Sequence, residues 1–317
     1  IGTARGLETR VVPEAGLVLE LVPAVPLPRK PSLDLLKVPF RLAGAVRAAK
    51  RILRQAEADV VCGFGGYVAM PAYLAARRLG IPVVIQEQNA VPGIANKVAA
   101  RFAAAVLTSF PGTPLTGARF EGLPVRTEIT ELAAAGRLSR QAAQRNRFGL
   151  HPDLPVLLVS GGSQGARSLN NATLDATGRL LAAGIQVLHI WGNKNFHAGL
   201  TEQIDPGTGA CYRPLAYVDH MSDAYAAADL MLARSGAGTV VETAVVGLPT
   251  ILVPLPIGNG EQARNAQPLV DVAAAVVIAD ADLSSEGLFS EATALLGDRE
   301  RLGQMSRAAQ QLMRPGA

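Results

Sequence analysis

Apolar positions along this chain alternate between short unbroken runs and longer stretches in which they recur every three or four residues. Val156 to Ser160, Gln186 to Ile190, Leu230 to Ala233 and Thr250 to Val253 are runs of four or five residues without a formal charge, the pattern of strands buried on both faces of a parallel sheet. Tyr212 to Val218 and Ala275 to Ile278 extend the set. Helical stretches lie between them, one beginning at Ala166 and one running from Thr239 to Val246, where Gly247 and Pro249 stop it. The same alternation fills the first part of the chain, with strands at Asp59 to Cys62, Ile81 to Ile85 and Ala105 to Thr108, and a helix through Arg78. Strands alternating with helices predict βαβ units and an α/β fold. Gly122-Leu-Pro-Val-Arg126 reads as the exit from a first domain, and residues 127 to 154, rich in Ala, Arg and Gln, read as a helix and a connector. The boundary this sets divides the chain into 1–124 and 125–317.

Two strand-to-helix junctions are glycine loops, Gly161-Gly-Ser-Gln-Gly165 and Ser235-Gly-Ala-Gly238. The first amides of a helix have no backbone partner, and the helix dipole places about half a positive charge there, so each loop is a candidate anion site. For the second loop these amides lie around Ala237, Gly238 and Thr239. Glu242, one turn further on, suits the two hydroxyls of a ribose, which pairs with phosphate in a nucleotide. A plain crossover with packing glycines is the structural alternative. The spacing is not the dinucleotide fingerprint, no acid follows the strand that ends at Trp191-Gly192, and the phosphate-binding lysine motif of the NTPases is absent. Gln86-Glu-Gln-Asn89 sits at the carboxyl end of its strand, the edge where open α/β sheets bind ligands. Four such side chains suit a hydroxyl-rich ligand such as a sugar, or cap the helix that starts near Pro92.

Composition adds limits. A chain of 317 residues, 49% hydrophobic and 18% charged, has material for two cores and holds no unbroken apolar run of about 20 residues. Cys62 and Cys211, each among apolar neighbours, read as buried free thiols. Charge is unevenly placed: residues 1 to 126 hold 16 Lys and Arg against 8 Asp and Glu, whereas residues 127 to 317 hold 14 against 18. Eight of the basic residues fall between Arg29 and Arg54, facing only Asp34. There Leu42, Val46, Ala49 and Leu53 recur at helical spacing and predict a buried stripe, leaving Leu35, Leu36, Val38 and Phe40 as an apolar cluster ringed by cations. That arrangement suits an anionic lipid surface, or else a solvated basic helix. Nucleic acid is disfavoured, since aromatics are 4% and no recognition motif occurs. Asp280-Ala-Asp282 imitates a metal-binding DxD site, but only 35 residues follow it, and it reads as a surface loop.

Gly65-Gly66-Tyr67, Glu87-Gln88-Asn89, Asn96-Lys97, Pro124-Val-Arg126-Thr127, Gly161-Gly-Ser-Gln-Gly-Ala166, Arg234-Ser-Gly-Ala237, Glu242, and Gln262 with Asn265 stand in the order seen in the MurG family. From Ile1 to about Met313 the chain resembles these peptidoglycan transferases, which add N-acetylglucosamine from UDP-N-acetylglucosamine to lipid I and so make lipid II. The resemblance implies a GT-B glycosyltransferase architecture of two Rossmann-like domains with parallel sheets facing a cleft. The first domain is expected to serve acceptor and membrane, the second the sugar nucleotide.

Carried over position by position, the resemblance places uridine and ribose on Ala237, Gly238, Thr239, Val240, Val241 and Glu242, with Val218 offering its backbone to the uracil. Ser163 and Arg126 are expected to face the diphosphate, and Asn89 and Gln262 the sugar hydroxyls. The implied reaction is an inverting displacement by the muramyl C4 hydroxyl, with no cofactor and no metal, helix amides and Arg126 meeting the charge of the leaving group. Glu87 is the acid expected nearest the acceptor and the candidate base. The implied partners are UDP-N-acetylglucosamine, undecaprenyl-linked lipid I and an anionic membrane surface met through residues 29–54, at the cytoplasmic face of the bacterial plasma membrane. Against the family pattern, the first strand, its glycine loop ending in a histidine proposed as base, and the following helix are not in the sequence. None of His151, His189, His197 or His220 matches that histidine, and Ile1-Gly2-Thr3 reads as the tail of a strand already under way, so the sequence is expected to be N-terminally truncated. Glu261 stands where the family often has a first glutamine. Two other functions fit the same features, a non-catalytic sugar-nucleotide-binding membrane subunit and an enzyme like the UDP-N-acetylglucosamine 2-epimerases.

Overall fold

Two sheets, one in each of two units, Ile1–Glu121 and Gly122–Ala317, organise the computed structural model. It describes residues 1–4, 6–25, 37–162, 166–257 and 259–314. In the first unit α1 (Glu8–Glu14) and α2 (Val38–Gln55) precede β1 (Val61–Gly63), α3 (Ala69–Leu79), β2 (Val83–Glu87), α4 (Ile94–Ala99), β3 (Ala105–Thr108) and β4 (Ala118–Phe120). The strands lie in the order β1-β2-β3-β4, all parallel. Gly2 forms a lone parallel bridge with Leu21. Helix α2 buries Ala45, Val46, Ala49, Ile52 and Leu53, a stripe at the spacing of one helix face, with Leu42 partly covered beside it. Leu35 and Leu36 of the expected apolar cluster lie outside the described residues.

One expectation fails here. Cys62 is exposed, because β1 is an edge strand whose residues alternate buried, exposed, buried, and Cys62 takes the outward position. Cys211 is buried as expected.

The second unit opens with α5 (Thr127–Ala135), a 3-10 turn at Arg137–Arg140 and α6 (Gln141–Arg147). The sequence suggested one helix there; Gly136, at φ 79° and ψ 119°, breaks it. Then follow β5 (Val156–Ser160), α7 (Arg167–Ala182), β6 (Gln186–Ile190), β7 (Gln203–Ile204), β8 (Cys211–Leu215), α8 (Met221–Ala227), β9 (Leu230–Ala233), α9 (Ala237–Val246), β10 (Thr250–Leu252), α10 (Glu261–Asp271), β11 (Ala275–Val277), α11 (Ser285–Gly297) and α12 (Arg299–Leu312). Their order is β11-β10-β9-β5-β6-β8-β7, with β7 alone antiparallel to its neighbour. Every residue of β5, β6, β9 and β10 is buried, as helices on both faces of a parallel sheet require. Strand β8 ends at Leu215, short of the expected Val218, and the chain from Ala216 onward runs toward α8. Arg145 pins the connector to the sheet: its Nε donates to the Ala227 carbonyl and its Nη2 meets Asp229 at 2.6 Å, while the same carboxylate oxygen accepts the Val156 amide at the start of β5.

A closed polar chain runs through the core of this unit. Trp191 Nε1 donates to the Tyr212 hydroxyl, which lies 3.1 Å from His189 Nδ1; His189 Nε2 lies 3.2 Å from Asn170 Oδ1, and Asn170 Nδ2 donates to the Trp191 carbonyl. With Asn170 oriented by its own donation, the ring proton belongs on Nε2 and Nδ1 accepts from Tyr212. The imidazole is therefore satisfied only when neutral, and burial pushes its pKa down to about 3.

A pH dependence follows from that shift. Above pH 6.5 His189 is neutral in both folded and unfolded chains; as the pH falls toward 3 only the unfolded chain takes up the proton. Between pH 6 and pH 5 this one group is expected to remove about 1 kcal/mol of stability, read from urea midpoints. His189→Gln should flatten that part of the profile, and an unchanged slope in a folded variant would count against the assignment.

Candidate functional site

Strands β5 and β9 are neighbours, with Ser160 opposite Ala233. Both strands therefore end at one level, and the two glycine loops leave the sheet side by side. The helix starts they lead to line one cavity of about 620 Å3: Ala166, Arg167 and Ser168 come from the start of α7, and Gly236 and Thr239 from the start of α9. Gly162 and Thr239 also belong to the wall of an adjoining pocket of about 190 Å3, lined with Arg126, Val218, Tyr225 and Glu242. The two spaces thus share a wall at Gly162 and Thr239.

Neither helix start is capped by a side chain. The amides of Ala237, Gly238 and Thr239 find no acceptor among the described residues, the first intrahelical bond being that from Val240 to Gly236. A side chain added at Gly236 or Gly238 would meet no heavy atom within 4 Å, so open space lies over both. Gly162 needs its lack of a side chain for a different reason, a φ of 81°. Free amides, a positive helix end and open space together suit a phosphate.

Glu242 faces the smaller pocket with its side chain 16% exposed. Tyr225, absent from the sequence-based expectations, donates its hydroxyl to Glu242 Oε2 at 2.9 Å. Burial, and then the nearby Glu242 charge, push the Tyr225 phenol well above its ordinary range, so it remains a donor. Arg126 Nη2 lies 3.3 Å from both Glu242 oxygens and Nη1 lies 3.4 Å from Glu128, whose other oxygen meets His220 Nδ1 at 2.7 Å. Arg126 was expected toward the diphosphate; in this structure it sits on the Glu242 and Glu128 carboxylates. Val218 lines the same pocket, whereas Val240 and Val241 are turned into the core, as their positions inside α9 dictate, and line neither space. Ser163 lies outside the described residues.

In the larger cavity Gln262 Oε1 accepts the Leu255 amide, which leaves its NH2 group without a partner among the described residues. Asp280, half of the DxD-like pair, is engaged structurally: it meets Arg234 and the Ser168 hydroxyl, both at 2.6 Å. Burial would raise its pKa, but the Ser168 and Arg234 contacts outweigh that and hold it below the usual value. Among the described residues no group of three His, Cys, Asp or Glu is placed to hold a metal ion.

In the first unit Glu87 is almost fully buried and its carboxylate is occupied. Oε1 accepts the Asn89 amide at 3.0 Å; Oε2 accepts the Gly93 amide at 3.0 Å and Asn96 Nδ2 at 2.8 Å. Asn96 Oδ1 takes the Tyr73 hydroxyl, which accepts the Gly65 amide. At Gly65, φ is 84° and an added side chain would press on Asn96 at 2.9 Å. Glycine loop, tyrosine, asparagine and glutamate thus form one relay that shapes the turn carrying Asn89. This favours a positioning role for Glu87 over the proton acceptor expected from sequence, because its oxygens are already spent on N–H donors.

With the geometry described, comparison with known proteins can be added. The glycosyltransferase family 28 C-terminal domain matches residues 156–316, and the N-terminal domain of the same family matches residues 1–108. The UDP-N-acetylglucosamine–N-acetylmuramyl-(pentapeptide) pyrophosphoryl-undecaprenol N-acetylglucosamine transferase of Cutibacterium acnes is 61% identical over 316 residues, 99% of this chain and 84% of that protein. The protein of the same description from Streptomyces avermitilis is 52% identical, over 100% of this chain and 86% of its own length. Among solved structures, Acinetobacter baumannii MurG superposes with a TM-score of 0.76 at 31% identity, covering 98% of this chain and 86% of that one. A putative UDP-N-acetylglucosamine 2-epimerase from Listeria monocytogenes gives 0.58 at 13% identity, covering 90% and 78%, a likeness of fold alone.

Two substitutions separate ligand effects from stability. Tyr225→Phe removes the hydrogen bond, worth about 1.5 kcal/mol, that orients Glu242, and should weaken UDP binding by at most about tenfold in calorimetry. Gly236→Val places a β-branched residue in extended backbone (φ −64°, ψ 147°) with open space over it. It should shift stability by less than about 1 kcal/mol while obstructing UDP. Unimpaired UDP affinity in the valine variant would show that the cavity is not the ligand's path.

Proposed function

The chain belongs to glycosyltransferase family 28, and on that premise we infer that it transfers N-acetylglucosamine from UDP-N-acetylglucosamine to N-acetylmuramyl-pentapeptide carried on pyrophosphoryl-undecaprenol. It is a UDP-sugar glycosyltransferase of GT-B fold, and its product is lipid II. The observation that best supports a donor site in the second unit is the convergence of two uncapped helix starts on one cavity, with a ribose-suited carboxylate in the adjoining pocket.

The donor is then laid out along the first turn of α9. Uracil enters the smaller pocket beside the Val218 backbone, between apolar walls that include Ile190 and Met231. Ribose hydroxyls donate to Glu242, whose orientation Tyr225 fixes. The diphosphate meets the free amides of Ala237, Gly238 and Thr239 and the opposing start of α7. The sugar extends into the larger cavity toward the Gln262 NH2 group, which is pre-set as a donor to hydroxyl oxygens by the Leu255 amide. Asn89, held by the Glu87 relay, is the sugar-binding candidate of the first unit. The acceptor C4 hydroxyl attacks the anomeric carbon from the face opposite UDP, inverting it, and preorganised amides stabilise the charge on the leaving group. The epimerases share no more than the fold at 13% identity, and nothing in this site favours their reaction.

The lipid-linked acceptor makes membrane contact part of this reading. No helix among the described residues is long and apolar enough to cross a membrane. Helix α2 instead presents Phe40, 80% exposed, at its start, with Arg47, Arg51 and Arg54 exposed along it. We place this face, continuing the basic stretch 29–54, on anionic lipid at the cytoplasmic side of the plasma membrane, the protein being peripheral.

Two measurements test the reading. Glu242→Ala should raise the KM for UDP-N-acetylglucosamine by about a hundredfold, since a carboxylate shared by two hydroxyls is worth about 3 kcal/mol. A KM that stays put would remove Glu242 from the donor site. Phe40→Asp and Lys37→Glu should reduce sedimentation with phosphatidylglycerol vesicles, leaving transfer to a water-soluble acceptor analogue intact; undiminished sedimentation would move the membrane face elsewhere.

A further inference from the structure

We propose that Arg167 is a further catalytic residue, the cation that takes up the charge appearing on the departing diphosphate; this rests on the donor site described above. Three arginines line the two adjoining spaces. Arg126 is matched by Glu242 and Glu128. Arg234 is matched by Asp280 at 2.6 Å, donates to Ser168 and to the carbonyls of Val253 and Pro254, and has its side chain only 11% exposed. Arg167 is exposed and has neither a carboxylate nor a hydrogen-bond acceptor among the described residues.

Its position carries a local cost that folding alone does not explain. Arg167 is the first residue of α7, where the helix dipole disfavours a cation. Four of the other five helices of this unit with at least eight described residues follow the dipole: α5, α10, α11 and α12 carry Glu128, Glu261, Glu286 and Glu300 in their first turns. Only α7 and α9 carry no acid there, and these are the two whose starts line the cavity. Both helix ends are left positive, and α7 adds a full, uncompensated charge.

In the reaction the acceptor oxygen bonds to the anomeric carbon, and the bond to the β-phosphate oxygen breaks. Its electron pair leaves with UDP, and the hydroxyl proton passes to a base. Negative charge grows on the terminal phosphate as that bond lengthens. A cation already paired with carboxylate has less to offer there than one held ready, so the free guanidinium stabilises the transition state more than the bound donor.

The test compares Arg167→Ala and Arg167→Lys with the parent protein in steady-state transfer, UDP calorimetry and thermal melting. Arg167→Ala is expected to lose at least about a hundredfold in kcat, to bind UDP more weakly by a larger factor than it raises the donor KM, and to melt no lower than the parent. Added guanidinium should restore part of its kcat, and lysine should retain part. A kcat within about threefold of the parent, or a loss confined to KM without guanidinium rescue, overturns the proposal. Glu242→Ala serves as the control: if it leaves the donor KM unchanged, the donor-site reading itself has failed; if it raises KM while Arg167→Ala keeps its kcat, only the role of Arg167 falls.

Discussion

The register between β5 and β9 is the constraint on which the rest of the second unit depends. Parallel strands paired with Ser160 opposite Ala233 must release their chains at the same height, and each chain turns directly into a helix. A peptide group cannot leave its N–H unpaired in a dry interior, so two adjacent helix starts with free amides are tolerable only where they open to solvent or to a ligand. The cavity over Gly236 and Gly238 is that opening. Glycine at positions 236 and 238 keeps that opening clear of side chains.

Around that surface the charges are arranged in pairs. Glu242 is balanced by Arg126 and steadied by a tyrosine that burial prevents from ionising. Asp280 is balanced by Arg234, which also ties α7 to the chain after β10 through Ser168 and the Val253 carbonyl. Such pairs add little net stability, but each holds a partly buried side chain in one orientation, and a site needs orientation before affinity. The same economy appears in the first unit, where a buried glutamate, an asparagine and a tyrosine use their hydrogen bonds to set one turn.

Membership of the glycosyltransferase family gives these arrangements a common purpose. A sugar nucleotide is a flat apolar base, a diol, a polyanion and a hydroxyl-rich ring in sequence. The second unit holds apolar walls, a carboxylate, two uncapped helix starts and an amide donor in two adjoining spaces, the order that the proposed donor pose uses.

Periodicity and punctuation were enough to read the α/β class, the two glycine loops, the helical run from Thr239 to Val246 and the buried stripe of α2, because local backbone preference and one-sided burial leave their mark on neighbouring residues. Glu242, Val218, Thr239 and Gln262, expected from the order of motifs, all line the two spaces. Other features depend on residues far apart in the chain and were fixed only by packing. Tyr225 and Glu242 are 17 positions apart and Arg126 is 116 from Glu242; no pattern along the chain announces that their side chains meet. Glu87 could be named from sequence as the candidate base, but its contacts with Asn96 and Gly93 are made by the turn, and Cys62 read as buried because hydropathy cannot tell an edge strand from a central one. Sequence fixes which groups are present and what each segment prefers. Which charges cancel, which remain available and which amides face open space are settled only by the tertiary fold, because electrostatic and hydrogen-bond satisfaction act through distance in space rather than along the chain.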